Sequence, residues 1–254
     1  MAFLALFLLV GATLAGATGL ATPEAPETEG GDGGDGFTGS QGDDMFDGAG
    51  GNDLIVGQAG DDTLVGGQGK DWLIGLDNAD HITGSDGSDV LIGGTGADDL
   101  DGGAGDDFIE SANLVDEAAL RDSLDGIQSL SDVAFQYDMT KAPDTGDMVD
   151  LGDGNDTVVA GDGDTVFGGD GRDEFALGDW ITGGDPVEIT DFDTAEDLLS
   201  FVYDGDGPPP DLTVERDSRT GVTTLRADGE AVAILRNSTP GFSLQNVVIG
   251  RYAA

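Results

Sequence analysis

Nine aspartates stand in strict register, Asp35, Asp44, Asp53, Asp62, Asp71, Asp80, Asp89, Asp98 and Asp107, one at every ninth residue. The stretches between them are dense in glycine, so each carboxylate comes with a turn whose backbone carbonyls are unhindered. Carboxylate and carbonyl oxygens together form the ligand set of a hard cation. Ca2+ accepts roughly six to eight oxygens in pliant geometry, whereas Mg2+ demands a stricter octahedron and keeps its waters. Without a cation, a column of carboxylates would repel itself.

These aspartates hold the sixth place of nine nine-residue repeats that fill residues 30–110 without a gap. The first place is Gly throughout, and the fourth is Gly in eight repeats and Asn78 in the other. Asn is the residue that best replaces Gly where the backbone turns left-handed. The eighth place is always large and apolar: Phe37, Phe46, Ile55, Leu64, Leu73, Ile82, Leu91, Leu100 and Ile109. Each repeat therefore reads as a Gly-rich turn of about six residues and a strand of about three, whose middle residue alone points inward. Two repeats complete one coil of a two-sheet solenoid, so each turn lies over the turn eighteen residues away. The stacking pairs Asp35 with Asp53, Asp44 with Asp62 and Asp53 with Asp71, continuing to Asp89 with Asp107, and leaves seven gaps for about seven Ca2+ ions. The block has nineteen acidic residues against Lys70, and seven divalent ions would offset fourteen of its negative charges.

The block resembles the RTX family, whose signature is a calcium-binding nonapeptide with Gly, Asp and an apolar residue in these places. The resemblance implies a parallel β-roll, calcium held between successive loops, and export by a type I secretion apparatus that reads an uncleaved C-terminal signal. A net charge of −43 and a pI near 4.1 also fit a disordered acidic tail. The apolar residue at every eighth place argues for a fold instead, one in which metal-binding free energy is folding free energy.

The remaining sequence divides around this block. Residues 1–21 are apolar and uncharged, and read as an export signal, a membrane anchor over 3–21, or an apolar strand or cap of the fold. Residues 22–29, with Pro23 and Pro26, form a linker. Residues 111–138 break the repeat, and Leu114, Ala118, Arg121, Leu124 and Ile127 recur at helical spacing, predicting a helix over about 113–130 capped at Ser111 or Asn113. Residues 139–201 hold a second, degenerate block in which Asp147, Asp156, Asp164 and Asp173 recur at intervals of nine, eight and nine. Pairing Asp147 with Asp164 and Asp156 with Asp173 would provide one or two further calcium sites in 139–176. Residues 202–254 alternate in polarity around Asp228-Gly229, a strong hairpin signal, and predict an antiparallel cap. That cap holds five of the nine basic residues, which suggests docking against the acidic roll, and by resemblance it would carry the secretion information. The expected fold is thus all-β: a parallel β-roll with a short helical insert and an antiparallel C-terminal cap.

Places seven and nine of each repeat face outward, and the two sheets differ there. One shows Leu54, Val56, Trp72, Ile74, Val90, Ile92 and Phe108, while the other shows Met45, Asp47, Thr63, Val65, His81, Thr83, Asp99 and Asp101. An apolar stripe of this length calls for a cover, the 111–138 helix or the C-terminal cap, and otherwise reads as a partner surface.

Little in the sequence supports catalysis. There is no Cys, His81 is the only His, and neither a His-Glu-x-x-His site nor a Gly-x-Ser-x-Gly elbow is present. The strong acidity excludes nucleic acid as a partner. The reading is an exported, extracellular calcium-binding structural or interaction protein, with an export apparatus and a cell-surface or matrix component as partner classes. Membrane contact is confined to the N-terminal segment. The alternative is a secreted hydrolase of the same class with its site in 111–254.

Overall fold

The computed structural model describes residues 29–116, 119–120, 145–182, 184–204, 208–238 and 241–252. Two sheets face each other. The first has nine strands, and its repeat-block members Gly36–Thr38, Leu54–Ala59, Trp72–Asp77, Val90–Thr95 and Phe108–Glu110 pair in parallel. The second has Met45–Asp47, Thr63–Gly69, His81–Gly87 and Asp99–Ala104 stacked in the same way. The register is the one the repeat dictates: Phe37 lies beside Ile55, Ile55 beside Leu73 and Leu73 beside Leu91, each shifted by one coil.

The two repeat blocks form one uninterrupted roll. Phe108–Glu110 pairs in parallel with Thr157–Val159, and Asp99–Asp101 with Met148–Asp150, so the chain leaves the stack after Glu110 and rejoins it on the next rung. Past this point the coil repeat shortens to 17 residues, as in the pairing of Met148 with Thr165. The expected helical insert lies largely outside the described residues. Its start is later than the spacing suggested: Asp116 accepts the Ala119 N–H on its carboxylate (3.1 Å) and the Leu120 N–H on its carbonyl (2.8 Å). Ser111 is no cap, because its hydroxyl is committed to Asp164 and the Val159 carbonyl, and Asn113 sits in the left-handed region at φ 54°.

The C-terminal region extends both sheets. Leu212–Arg216, Thr223–Ala227 and Glu230–Leu235 form the predicted antiparallel meander. Its last strand joins Val187–Ile189 of the second sheet in parallel, while Val247–Tyr252 adds in parallel to Leu198–Asp204 of the first. Arg236 forks onto Glu188 of the roll, with its Nη2 2.9 Å from Oε2. Arg226 and Arg219 instead pair within the meander, with Glu215 and Asp217.

The core is the eighth-place column. Ile55, Leu64, Leu73, Ile82, Leu91, Leu100 and Ile109 are fully buried, and Val149, Val158, Val166 and Phe175 continue the series. Burying each such side chain contributes about 1.5–3 kcal/mol. Phe37 and Phe46 of the first two repeats stack 5.3 Å apart, and Phe175, Phe192 and Phe242 form a ring cluster further along.

Most of the apolar outer stripe is covered, with Val90 and Phe108 partly exposed. Leu54, Val56, Trp72, Ile74 and Ile92 are all below 5 % exposed, yet they face away from the eighth-place core. The C-terminal cap does not supply the cover, because its strands extend the sheets at their ends; residues 121–144 lie outside the described residues. Trp180 is also buried and donates its indole N–H to the Ala160 carbonyl at 2.9 Å. In a Trp180→Phe variant, Trp72 should therefore emit as a buried indole and resist acrylamide quenching in the folded chain. Ready quenching would mean that the stripe is open to water.

Candidate metal centre

The local device that builds the site is a hydrogen bond from each aspartate to the next. The Asp35 N–H donates to Asp53 Oδ1 (2.7 Å), Asp53 to Asp71 (2.8 Å), Asp71 to Asp89 (2.9 Å) and Asp89 to Asp107 (2.7 Å). At the other edge Asp44 donates to Asp62, Asp62 to Asp80 and Asp80 to Asp98, at 2.7–2.8 Å. Both columns cross the insert, since Asp98 donates to Asp147 and Asp107 to Asp156, each at 2.7 Å. They continue through Asp147 to Asp164 (2.8 Å) and Asp156 to Asp173 (3.0 Å). All thirteen aspartates singled out in the sequence fall on these two columns. One was missed: Asp197 Oδ1 accepts the Asp173 N–H at 3.2 Å and ends its column.

Each bond uses one carboxylate oxygen and leaves the other inside the gap. Oδ2 of Asp53, Asp62, Asp71, Asp80, Asp89, Asp98, Asp107 and Asp156 is buried with no hydrogen-bond donor. A buried carboxylate oxygen without a donor or cation is costly. What faces it is another acceptor. A methyl placed on Gly66 would lie 2.6 Å from Asp71 Oδ2 and 2.9 Å from the Gly84 carbonyl oxygen, one coil further on. A methyl on Gly102 would meet Asp107 Oδ2 at 2.8 Å and the Leu151 carbonyl oxygen at 2.6 Å. Carboxylate and carbonyl oxygens thus converge on a cradle that only a first-place Gly leaves open. Among the described residues no three His, Asp or Glu side chains converge, so backbone carbonyls must complete any ligand set. That mixture suits a hard cation and fits Ca2+.

The column ends are built differently. Asp35 and Asp44 turn Oδ2 to the N–H of Gly31 (2.9 Å) and Ser40 (2.6 Å) in their own repeats. Asp164 Oδ2 accepts from Gly161 N–H (2.6 Å) and the Ser111 hydroxyl (2.9 Å), and Asp197 Oδ2 from Asp193 N–H (2.6 Å). His81 stands outside both columns, on the exposed outer face, with Nδ1 3.1 Å from Asp99 Oδ2.

The electrostatics state the same need for positive charge. Burial raises Asp53 to about 7, against the lowering effect of the Asp35 N–H, and repulsion from Asp71 and Asp35 adds to the rise. Burial likewise lifts Asp80 and Asp107 to about 8, Asp89, Asp98 and Asp156 to about 7, and Asp71 to about 6.

The RTX calcium-binding nonapeptide repeat model matches four times, at residues 29–64, 38–73, 74–109 and 144–175. These segments are RTX calcium-binding repeats. As repeats of that family, with stacked aspartate loops, they imply Ca2+ as the cation. No curated protein is found to match the chain. Similar solved structures include the solution structure of a subunit of the mannuronan C5-epimerase from Azotobacter vinelandii, with 16 % identity, 91 % of this chain and 85 % of that one covered, and a TM-score of 0.21. Another is the crystal structure of an extracellular lipase from Serratia marcescens, with 16 % identity, coverage of 85 % and 40 % respectively, and a TM-score of 0.28.

Two outcomes follow for the RTX columns. Gly66→Ala places a methyl in the cradle at a backbone angle that Ala accepts, so the calcium midpoint for folding should rise while a Gly33→Ala variant, whose methyl meets nothing, stays near wild type. For pH, the folded metal-free chain holds protons on these carboxyls that the unfolded chain has released. Its stability therefore falls as pH rises from about 4 to about 8. In chelator, β-sheet circular dichroism should be strongest near about pH 4 and fade toward about pH 8, and calcium binding at neutral pH should release protons measurable in weak buffer.

Proposed function

We propose that this chain is an exported calcium-binding structural or interaction protein whose roll folds when Ca2+ enters the gaps between stacked aspartate loops. The observation that carries the reading is the row of eight buried Oδ2 atoms without donors, each set in a gap between two coils. Those atoms imply five ions between coils wholly within residues 30–110, two in the gaps spanning the insert, and one between Asp156 and Asp173. The ligands would be Asp53, Asp62, Asp71, Asp80, Asp89, Asp98, Asp107 and Asp156, with Asp147, Asp164 and Asp173 on the far sides of the later gaps. Asp35 and Asp44 contribute to the two outermost gaps, where their Oδ2 atoms already hold an N–H.

The mechanism is calcium-gated folding. Sites tuned like extracellular modules, at about 10⁻⁴–10⁻³ M, stay empty at cytosolic calcium and fill outside the cell. Unneutralised carboxylates keep the chain from stacking before export, and the cation that closes each gap supplies the free energy of folding. A secreted, extracellular location fits this difference in calcium. The partner would then be a cell-surface or matrix component met after folding.

A calcium titration followed by far-ultraviolet circular dichroism, with magnesium in parallel, tests the proposal. Cooperative gain of β signal with calcium alone is expected; full β signal in chelator at neutral pH would refute gating. Asp71 takes the Asp53 N–H on Oδ1 and faces the Gly84 carbonyl with Oδ2, so it serves two gaps, whereas Asp35 serves one. Asp71→Ala should raise the calcium midpoint several-fold more than Asp35→Ala, and equal midpoints would contradict the shared-carboxylate scheme.

A further inference from the structure

The roll ends asymmetrically. At its N-terminal end the first rungs carry Asp32, Asp35, Asp43, Asp44 and Asp47, and Gly30 N–H bonds the Asp47 carbonyl at 2.6 Å across the second sheet's edge. At the C-terminal end the second sheet stops at Leu212–Arg216, whose exposed Glu215 and Arg216 guard the edge with charge. Charged edge residues of this kind discourage further strand pairing.

The first sheet has no such guard. Its last strand, Val247–Tyr252, pairs only with Leu198–Asp204 among the described residues, and Arg251 is its single charge. Val248 is 44 % and Ile249 48 % exposed, and Leu244 just before the strand is 46 % exposed. Ile249 follows Leu177 and Phe201 in an inward-facing column, and those two are 0 % and 1 % exposed. The core column therefore runs out into solvent at this rung. Solenoids normally finish with a polar terminal unit, and an apolar open edge is a template for another strand.

Charge selects what can occupy it. Residues 202–254 hold seven acidic and five basic side chains, a net of −2, so −41 of the chain's −43 lies in the rest. Among the described segments, this nearly neutral end is where two copies of so acidic a protein repel each other least. A head-to-tail contact would set the edge against the carboxylate-rich first rungs, whereas a two-fold contact sets it against itself. We propose that Val247–Tyr252 is a homodimer interface, at which two copies pair their edge strands antiparallel about a two-fold axis and continue the first sheet from one copy into the other.

Sedimentation equilibrium of the full chain in saturating calcium tests this. The expected species is a discrete dimer of twice the 25.7 kDa chain mass. Val248→Lys and Ile249→Lys, both at exposed positions, should sediment as monomers with wild-type circular dichroism and calcium midpoint. A monomeric wild-type chain at micromolar concentration would overturn the proposal, as would open-ended polymers, or a dimer untouched by both substitutions. Because folding is read separately by circular dichroism, failure of the dimer is distinguishable from failure of calcium-gated folding.

Discussion

The structure depends on one hydrogen bond repeated along two edges, the peptide N–H of an aspartate donated to the carboxylate of the aspartate one coil on. It fixes the distance between coils, sets the rotamer of every ligand and pulls a carboxylate out of water. At eight of these positions the second carboxylate oxygen then has no protein donor to meet, and the carbonyl oxygens that line its cradle carry the same sign. Packing of the eighth-place apolar column favours the stack, while the buried charge opposes it. Fold and ligand are therefore coupled, since closing the sheets buries carboxylates whose charge protons or cations would neutralise.

Much of this was legible because a nine-residue period is a statement about geometry. Once Asp71 and Leu73 are known to recur in fixed places, strand, turn, inward face and the pairing of Asp53 with Asp71 all follow. Asn78 at φ 80° shows the same logic at one position, holding the positive φ that Gly51, Gly60 and Gly69 hold in the three preceding repeats. What stayed hidden lay where the period is interrupted. Asp98 meets Asp147, and Asp107 meets Asp156, across 49 residues, an interval that carries no periodic mark. Asp197 joins its column 24 residues after Asp173 and could not be told from the acidic residues around it. The hairpin at Asp228-Gly229 was readable from local turn chemistry, but its parallel seat on Val187–Ile189 is a long-range contact that no local signal encodes.

The distribution of charge follows the division of labour. Acidic residues crowd the segments whose turns need a cation, and the closing strands exchange that acidity for arginines that pair locally or, with Arg236, clamp the last coils to Glu188. Long-range repulsion among the coils is thus confined to the part of the molecule that metal can neutralise, and the closing strands hold together by packing and exposed ion pairs of modest strength.

The excursion between Glu110 and Thr145 starts and finishes on adjacent rungs. Ser111 N–H still bonds the Val159 carbonyl at 3.0 Å, and the Thr145 hydroxyl reaches the Gly96 carbonyl. Closing a longer loop between two such anchors costs only about 0.6 kcal/mol per doubling of length. The rungs above and below keep their alignment whatever passes between those anchors. A spiral staircase that admits a landing between two steps can gain new cargo there, by evolution or by grafting, with every tread still in line.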